Sequence, residues 1–340
     1  MKEQLLKYLK YAGPVGYPVF YVFCLAIFAT LTFPYGKLRE HLVTSFNATE
    51  RATGGLQELQ VEDMSGYWLS GIRMSGIVLS TGSPEPGKAP TKIEIDDATA
   101  RYSLLPLLIG NSDMNFDALA FGGEASGSYD VSGKDRMVDV TLDSIDIGKV
   151  QPLVDLVGLP LSGKLAGTVS LKMPEGKASK GTGSVSLEMQ SVSVGDGKAK
   201  LKGTLALPQM TVGTLTFAAD AKDGVLKITK LVAGGRDLDV QGDGKITMRE
   251  LATDALLDLQ IRFRINDAYR TKSDLTKTLF GAPGSNAPGV FEMADPQIKA
   301  SKRPDGFYAW AFTGPLSHPR VSPAAGAAPS NLTFGQPKAP

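Results

Sequence analysis

One cysteine and two histidines in 340 residues leave this chain little with which to do chemistry. The single thiol, Cys24, excludes an internal disulfide and a thiolate metal site. His41 and His318 lie at opposite ends of the sequence, which argues against a histidine general base or a histidine-cluster metal site. No Walker loop, nucleotide-binding glycine fingerprint or nucleophile elbow with triad partners occurs. Asp237-x-Asp239-x-Gln241-Gly242 begins like a calcium loop, but its twelfth position is Met248, where the bidentate glutamate is required. Carboxylate pairs such as Asp96-Asp97 read as solvated strand or turn edges. The chain is therefore expected to be no enzyme and to carry neither cofactor nor metal. Charge of one sign is missing too: 36 Lys+Arg stand against 35 Asp+Glu, with no long basic block, so nucleic acid is not an expected partner.

What the chain does have is a charge-free run between Lys10 and Lys37. Its apolar part, residues 12–33 (AGPVGYPVFYVFCLAIFATLTF), would be roughly 33 Å long as a helix, close to the ~30 Å hydrocarbon layer of a bilayer. The sequence predicts a transmembrane helix over 12–33. Lys2, Lys7 and Lys10 would also suit a cleavable leader, but the run is long for one and lacks a small-x-small site before Pro34. Phe23 directly before Cys24 excludes a lipobox. Pro14 and Pro18 fall in the first turns, where missing donors cost least, and Tyr11, Tyr17, Tyr35, Lys10 and Lys37 are placed as membrane-interface anchors. Three lysines and the α-amino group before the run, against Lys37 and Arg39 after it, predict a cytoplasmic N-terminus.

The rest reads as mainly β. The chain holds 38 glycines and 21 prolines, which favour turns over long helices. Leu257 to Ile265 alternates apolar and polar residues over nine positions, putting one apolar and one polar row on the two faces of a strand. Val185–Met189, Lys200–Leu207 and Gly213–Phe217 do the same, as antiparallel strands with one wet face should. Gly-x-apolar-x-apolar recurs from Gly167, Gly183, Gly203, Gly213 and Gly244, each read as the start of a strand. Gly122-Gly123, Asp196-Gly197, Asp223-Gly224, Gly234-Gly235 and Asp243-Gly244 read as turns.

Helices are expected only at Asp146–Leu159, ended by Gly158 and Pro160, and at Ser273–Phe280, capped by Ser273 or Asp274. Both are placed as plugs at an end of a sheet. Ser83–Pro90 and Gly281–Gly289 read as loops, and Pro315–Pro340 as a tail with too little patterned hydrophobicity to fold. The organisation expected is a cytoplasmic N-terminus at 1–11, the span at 12–33, a β-rich domain at 34–314 and a disordered Pro/Ala-rich tail at 315–340.

The candidate site is a set of apolar strand positions: Val185, Leu187, Leu205, Leu207, Leu259, Ile261, Phe263 and Ile265. They are either ordinary core or the lining of an apolar groove. Core is the reading favoured for an average β protein, because each such side chain stabilises by about 1.5–3 kcal/mol when buried.

Three segments carry a resemblance. Phe33-Pro34-Tyr35-Gly36-Lys37-Leu38 followed by Met64–Ile72 (MSGYWLSGI) resembles the opening of the longer variant of type II secretion system protein N, and Asp305–Leu316 (DGFYAWAFTGPL), with Pro319-Arg320 after it, resembles that family's close. Gly158–Gly167 (GLPLSGKLAG) is similar to a helix-to-strand junction of AsmA-like periplasmic domains. The resemblance implies a single-pass inner-membrane protein with a curved, elongated periplasmic β domain. It would be a non-catalytic accessory of the protein secretion machinery, with other secretion subunits as partners. The AsmA-like likeness implies an alternative, a module that binds or transfers lipid in an apolar β groove. Neither fixes an oligomeric state or a catalytic residue.

Overall fold

The computed structural model describes residues 16–324 apart from 26, 29, 69, 83–89, 104–109, 152, 155–157, 199, 202–204, 207, 252–253 and 285–288. The described chain is mainly β and divides into two compact units, Met1–Ala120 and Phe121–Pro340.

In the first unit, the helical stretches Gly16–Thr32 and Tyr35–Ala52 meet at a 60° bend. Pro34 sits at the bend and has no N–H to continue the helical ladder. Among the described residues no single helix is long and apolar enough to cross a membrane; only the bent pair together has the length and composition. The predicted span is thus not established, and residues 12–15 lie outside the described residues.

Helix α1 (Tyr35–Thr53) was not expected from the sequence. Its half-buried positions, Tyr35, Leu38, Arg39, Leu42, Val43, Phe46, Asn47 and Glu50, recur at the helical period and form one face. Gly54, at φ +74°, closes the helix by donating its N–H to the Glu50 and Arg51 carbonyls. Four antiparallel strands follow, each paired with the next: β1 (Gln57–Tyr67), β2 (Gly71–Thr81), β3 (Thr91–Tyr102) and β4 (Ser112–Ala120). Helix α1 packs along β1.

The second unit holds β5 (Gly123–Ser132), β6 (Asp135–Asp146), β7 (Leu161–Met173) and β8 (Thr182–Val194), then a short hairpin of β9 (Lys200–Leu201) and β10 (Leu205–Ala206). The sheet continues with β11 (Met210–Lys222), β12 (Val225–Gly234), β13 (Leu238–Thr247) and β14 (Leu256–Ile265), and closes with β15 (Tyr308–Pro315) and β16 (Arg320–Pro323). Apart from β9 and β10 these form ten antiparallel strands in chain order. Register shifts in the β6–β7, β7–β8, β8–β11, β11–β12 and β12–β13 pairs mark bulges, which bend strands and raise their twist.

Asp223-Gly224 joins β11 to β12 with both residues at positive φ, the geometry a two-residue hairpin selects. Asp243-Gly244, expected to be a turn, instead lies inside β13. Gly167 is likewise in mid-strand and Gly213 is the fourth residue of β11; of the described repeat glycines only Gly183 stands near a strand start. The reason is close approach. A Cβ would fall 2.2 Å from the Ser186 carbonyl oxygen at Gly167, 2.0 Å from that of Ser170 at Gly183 and 2.2 Å from that of Asp258 at Gly244.

Between β14 and β15 come α2 (Asp267–Arg270), α3 (Asp274–Phe280), α4 (Val290–Ala294) and α5 (Pro296–Ser301). Helix α3 is the one expected at Ser273–Phe280, with a capping box: the Thr276 N–H donates to Ser273 Oγ at 3.1 Å and the Ser273 N–H to Thr276 Oγ1 at 2.9 Å. The helix expected from Asp146 starts later. Asp146 ends β6, helical hydrogen bonds begin at the Val150 carbonyl, and Gly158 closes the segment at φ +71°. The segment expected to be an unfolded tail contains β16, whose Trp310–Thr313 partners on β15 give its exposed backbone a ladder; residues 325–340 lie outside the described residues.

Candidate functional site: the apolar face of the second unit

Side chains on an antiparallel sheet share a face with their cross-strand partners, so the register sorts every strand of the second unit. Starting from Leu259, Ile261 and Phe263 on β14, the partners are Phe312, Trp310 and Tyr308 on β15, and Gly244, Gly242 and Val240 on β13. The same face continues through Ile228 and Leu226 of β12, and Leu215, Phe217 and Ala219 of β11. It then takes in Val185, Leu187 and Met189 of β8, Val169 and Leu171 of β7, and Val138, Val140 and Leu142 of β6. The opposite face carries Asp139, Thr168, Ser170, Ser184, Ser186, Glu188, Asp220, Lys227, Lys245, Asp258, Gln260 and Arg262. From β7 to β15 one face is hydrocarbon, with Tyr129 and Arg136 at its β5–β6 margin, and the other is largely charged or hydroxylated.

At one end the apolar face is closed. Ile145, Leu165, Val192, Val212 and Ala233 form a dry cluster with Ile147, against which Val150 and Leu153 pack. Beside it, Ile265 joins Tyr269, Leu279 and Phe280, with Phe263, Leu238 and Phe291 against them. The two segments expected to be plugs do occupy this end.

Polar groups at the plug satisfy one another. Asp237, buried, accepts from the Thr211 N–H at 2.9 Å and from Lys272 Nζ at 3.1 Å, and Asp239 pairs with Arg264 at 2.7 Å, so the carboxylates of the calcium-like motif are both engaged. Among the described residues no group of three metal-ligating side chains comes together. The Tyr269 hydroxyl donates to the Pro208 carbonyl at 2.6 Å. Burial, helped by the Asp237 charge, pushes its phenol up to about 12. Burial and a hydrogen bond to Glu292 likewise raise Tyr308. Burial alone would raise the Glu292 carboxyl, but hydrogen bonds from Lys302 Nζ at 2.7 Å and Tyr308 at 2.8 Å, with the charges of Lys302 and Arg270, outweigh it and hold the group below the usual carboxylate range.

Beyond the plug the face is only partly covered, with Ala219, Ile228 and Leu257 buried along it. Val140, Val169, Leu171, Val185, Leu187, Leu215, Phe217, Leu226, Leu259, Ile261, Trp310 and Phe312 are all only half-buried, although each stands within a sheet. In a two-layer sandwich such residues would be buried.

The structure thus brings Val185, Leu187, Leu259, Ile261, Phe263 and Ile265 onto one face, with Ile265 in the closed end and Leu259 and Ile261 in the open part. Leu205 lies in β10, outside this sheet, and Leu207 lies outside the described residues. Leu231, Phe312 and Trp310 share the open region and were missed; the alternation of large and small side chains from Tyr308 to Phe312 would have found the last two. Of the membrane-interface positions, Tyr17 and Lys37 are exposed and Tyr35 packs its ring on Phe33 at 4.9 Å between centroids, whereas Lys10 and Tyr11 lie outside the described residues. Two segments far apart in sequence, Phe33–Leu38 and Met64–Ile72, also meet: a Cβ on Gly66 would fall 2.5 Å from the Tyr35 hydroxyl. Comparison with known proteins finds no matching family model, no matching curated protein and no matching solved structure.

Proposed function

We propose that this protein is a non-catalytic, membrane-anchored carrier or holder of lipid, with acyl chains lying on the open apolar face of the second unit. The carrying observation is a sheet face of apolar side chains that is closed at one end, mostly half-buried along the rest and backed by a polar face. A contiguous apolar surface left partly open to solvent marks a binding surface. Covering a half-buried Leu, Val or Phe is worth about 1 kcal/mol each, so a bound chain touching several of them is held by many small contributions. Among the described residues of β7, β8 and β11 to β15 the face carries no charged side chain, which suits a hydrocarbon tail; Arg136, bonded to the Tyr129 hydroxyl, stands at its β6 margin. Anchoring rests on the apolar stretch Ala12–Phe33, whose described part exposes Val19, Phe20, Val22, Leu25 and Phe28; a helix apolar all round needs lipid or protein about it. On this reading the anchor sits in an inner membrane with the N-terminus cytoplasmic and the β units periplasmic. The test is solvent extraction and mass spectrometry of lipid from the purified full chain. Acyl lipid that copurifies with the parent and is depleted in Leu187→Asp and Ile261→Asp chains of unchanged circular dichroism supports the proposal; a lipid-free parent overturns it.

A second reading, an accessory scaffold of the type II secretion machinery, is favoured by one observation. Phe33–Leu38 and Met64–Ile72, which carry the opening part of that resemblance, pack on each other within the first unit. Cross-linking in intact envelopes that captures secretion subunits supports it, and recovery of lipid alone counts against it.

A further inference from the structure

The β1–β2 turn presents its largest side chain to solvent. Trp68 is 73% exposed and sits at φ +52°, a conformation that bulky residues avoid. Both the lost burial and the backbone strain weigh against a tryptophan whose role is only to close a hairpin, and a glycine or asparagine would serve the turn better. The turn is held in place. Ser70 Oγ donates to the Tyr102 carbonyl at 2.7 Å, and the Tyr102 N–H donates back to the Ser70 carbonyl at 3.2 Å. Tyr102 itself is 44% exposed, so a second aromatic ring stands beside the turn.

The same turn lies at the foot of the apolar N-terminal helix. An open cleft of ≈ 260 Å³ is lined from one side by Thr30, Phe33 and Tyr35 and from the other by Ser70, Gly71 and Ile72. Phe33 is the last residue of the charge-free apolar run, and Lys37 and Arg101, both exposed, flank the region. Aromatic rings with an apolar body and a polar edge, next to basic side chains and level with the end of an apolar helix, make the composition of a membrane–water interface.

We infer that the β1–β2 turn is a second membrane contact, with the Trp68 indole seated among lipid headgroups and Tyr102 beside it. It holds the first unit against the bilayer surface where the apolar helix leaves it. The inference rests on the membrane anchoring argued above but not on lipid binding by the apolar face, and the two are separable because the chain has only two tryptophans. Trp310 lies on that face and Trp68 on the turn. The full chain carrying Trp310→Phe is reconstituted into phosphatidylethanolamine/phosphatidylglycerol vesicles, with bromine placed either near the headgroup or at the chain end in separate preparations. Trp68 emission is expected to shift to the blue relative to denatured chain and to lose about half its intensity to headgroup-proximal bromine, with weaker quenching from the chain ends. Red-shifted emission open to iodide, or stronger quenching by the chain-end label, overturns it while leaving lipid binding by the face untouched. A chain that fails to float with the vesicles overturns the anchoring and this contact together. Should Trp310→Phe fold poorly, the difference in quenching between the parent and Trp68→Phe chains isolates the same signal.

Discussion

Asn47 and Leu59 exchange two hydrogen bonds: Asn47 Nδ2 donates to the Leu59 carbonyl at 3.1 Å, and the Leu59 N–H donates to Asn47 Oδ1 at 2.8 Å. A carboxamide from α1 thereby occupies, on the free side of β1, the place a neighbouring strand would take. Arg39 adds a guanidinium donor to the Glu62 carbonyl further along the same edge. Helix α1 thus covers a strand edge that would otherwise offer unpaired groups to another chain.

Replacing Asn47 with leucine keeps the bulk and removes both bonds. Unpaired, half-buried backbone groups cost about 1–3 kcal/mol, so Asn47→Leu is expected to lower stability by about 2 kcal/mol and to produce concentration-dependent association through β1. Denaturant unfolding and light scattering of the detergent-solubilised chain measure the two effects. Asn47→Asp keeps the acceptor for the Leu59 N–H and should fall between the parent and the leucine variant. A leucine variant as stable and as monodisperse as the parent would show that the edge is protected by other means.

Ile261 and Ile265 belong to one alternating row but to different surroundings. Ile265 is 4% exposed within the cluster of Tyr269, Leu279 and Phe280, whereas Ile261 is half-buried opposite Gly242 and Trp310 on the open face. A charge at a sealed site must be desolvated without a partner; at the open site it reaches water. Ile265→Asp is expected to unfold the second unit, with a loss of 4 kcal/mol or so, and Ile261→Asp to keep its circular dichroism and lose less than about 2 kcal/mol. Equal destabilisation by the two would mean that the face is covered after all.

That distinction marks the limit of what the sequence reveals. Period-two alternation identifies Leu257–Ile265 as a strand and sorts its two faces, because the pleat forces neighbouring side chains apart. It is silent on whether a second layer lies over the apolar row, since core and groove demand the same residue types. The Ser273 cap was readable because it is local, although its reciprocal partner Thr276 was not singled out. Helix α1 was less so: Leu38, Leu42, Val43 and Phe46 have the helical spacing, but it directly follows an apolar run that dominates the reading. The repeat glycines misled for a different reason. Strand-internal glycines answer to the backbone of the adjacent strand, up to 20 residues away in sequence, and a turn-like dipeptide such as Asp243-Gly244 carries no mark of that neighbour.

Acid should loosen the plug through Glu292. Its folded-state carboxyl lies below the ordinary value of about 4.3, so its pairing stabilises fully above that value and is lost as pH falls through the lower folded one. Unfolding free energy is therefore expected to drop below about pH 5, and Glu292→Gln should flatten this limb while costing about 1–3 kcal/mol at neutral pH by leaving Lys302 and Tyr308 without a charged acceptor. An acid limb identical in the variant would place the acid sensitivity elsewhere.

At the alkaline end the sign reverses. Tyr269 titrates at about 12 in the folded chain against about 10 unfolded, so the unfolded chain releases this proton first and stability declines as pH rises from 10 to 12. One such proton gives a slope approaching 1.4 kcal/mol per pH unit, by the roughly 1.36 kcal/mol that each unit represents. Tyr308 is shifted in the same direction and steepens it. Tyr269→Phe removes the hydroxyl that donates to the Pro208 carbonyl and should cost about 1 kcal/mol at pH 7. The same variant should lose one proton's worth of alkaline slope, so its deficit against the parent narrows as pH climbs. Unfolding curves from pH 9 to 12 decide the matter, because a deficit that stays constant with pH would mean that the Tyr269 phenol ionises as freely in the folded chain as in the unfolded one.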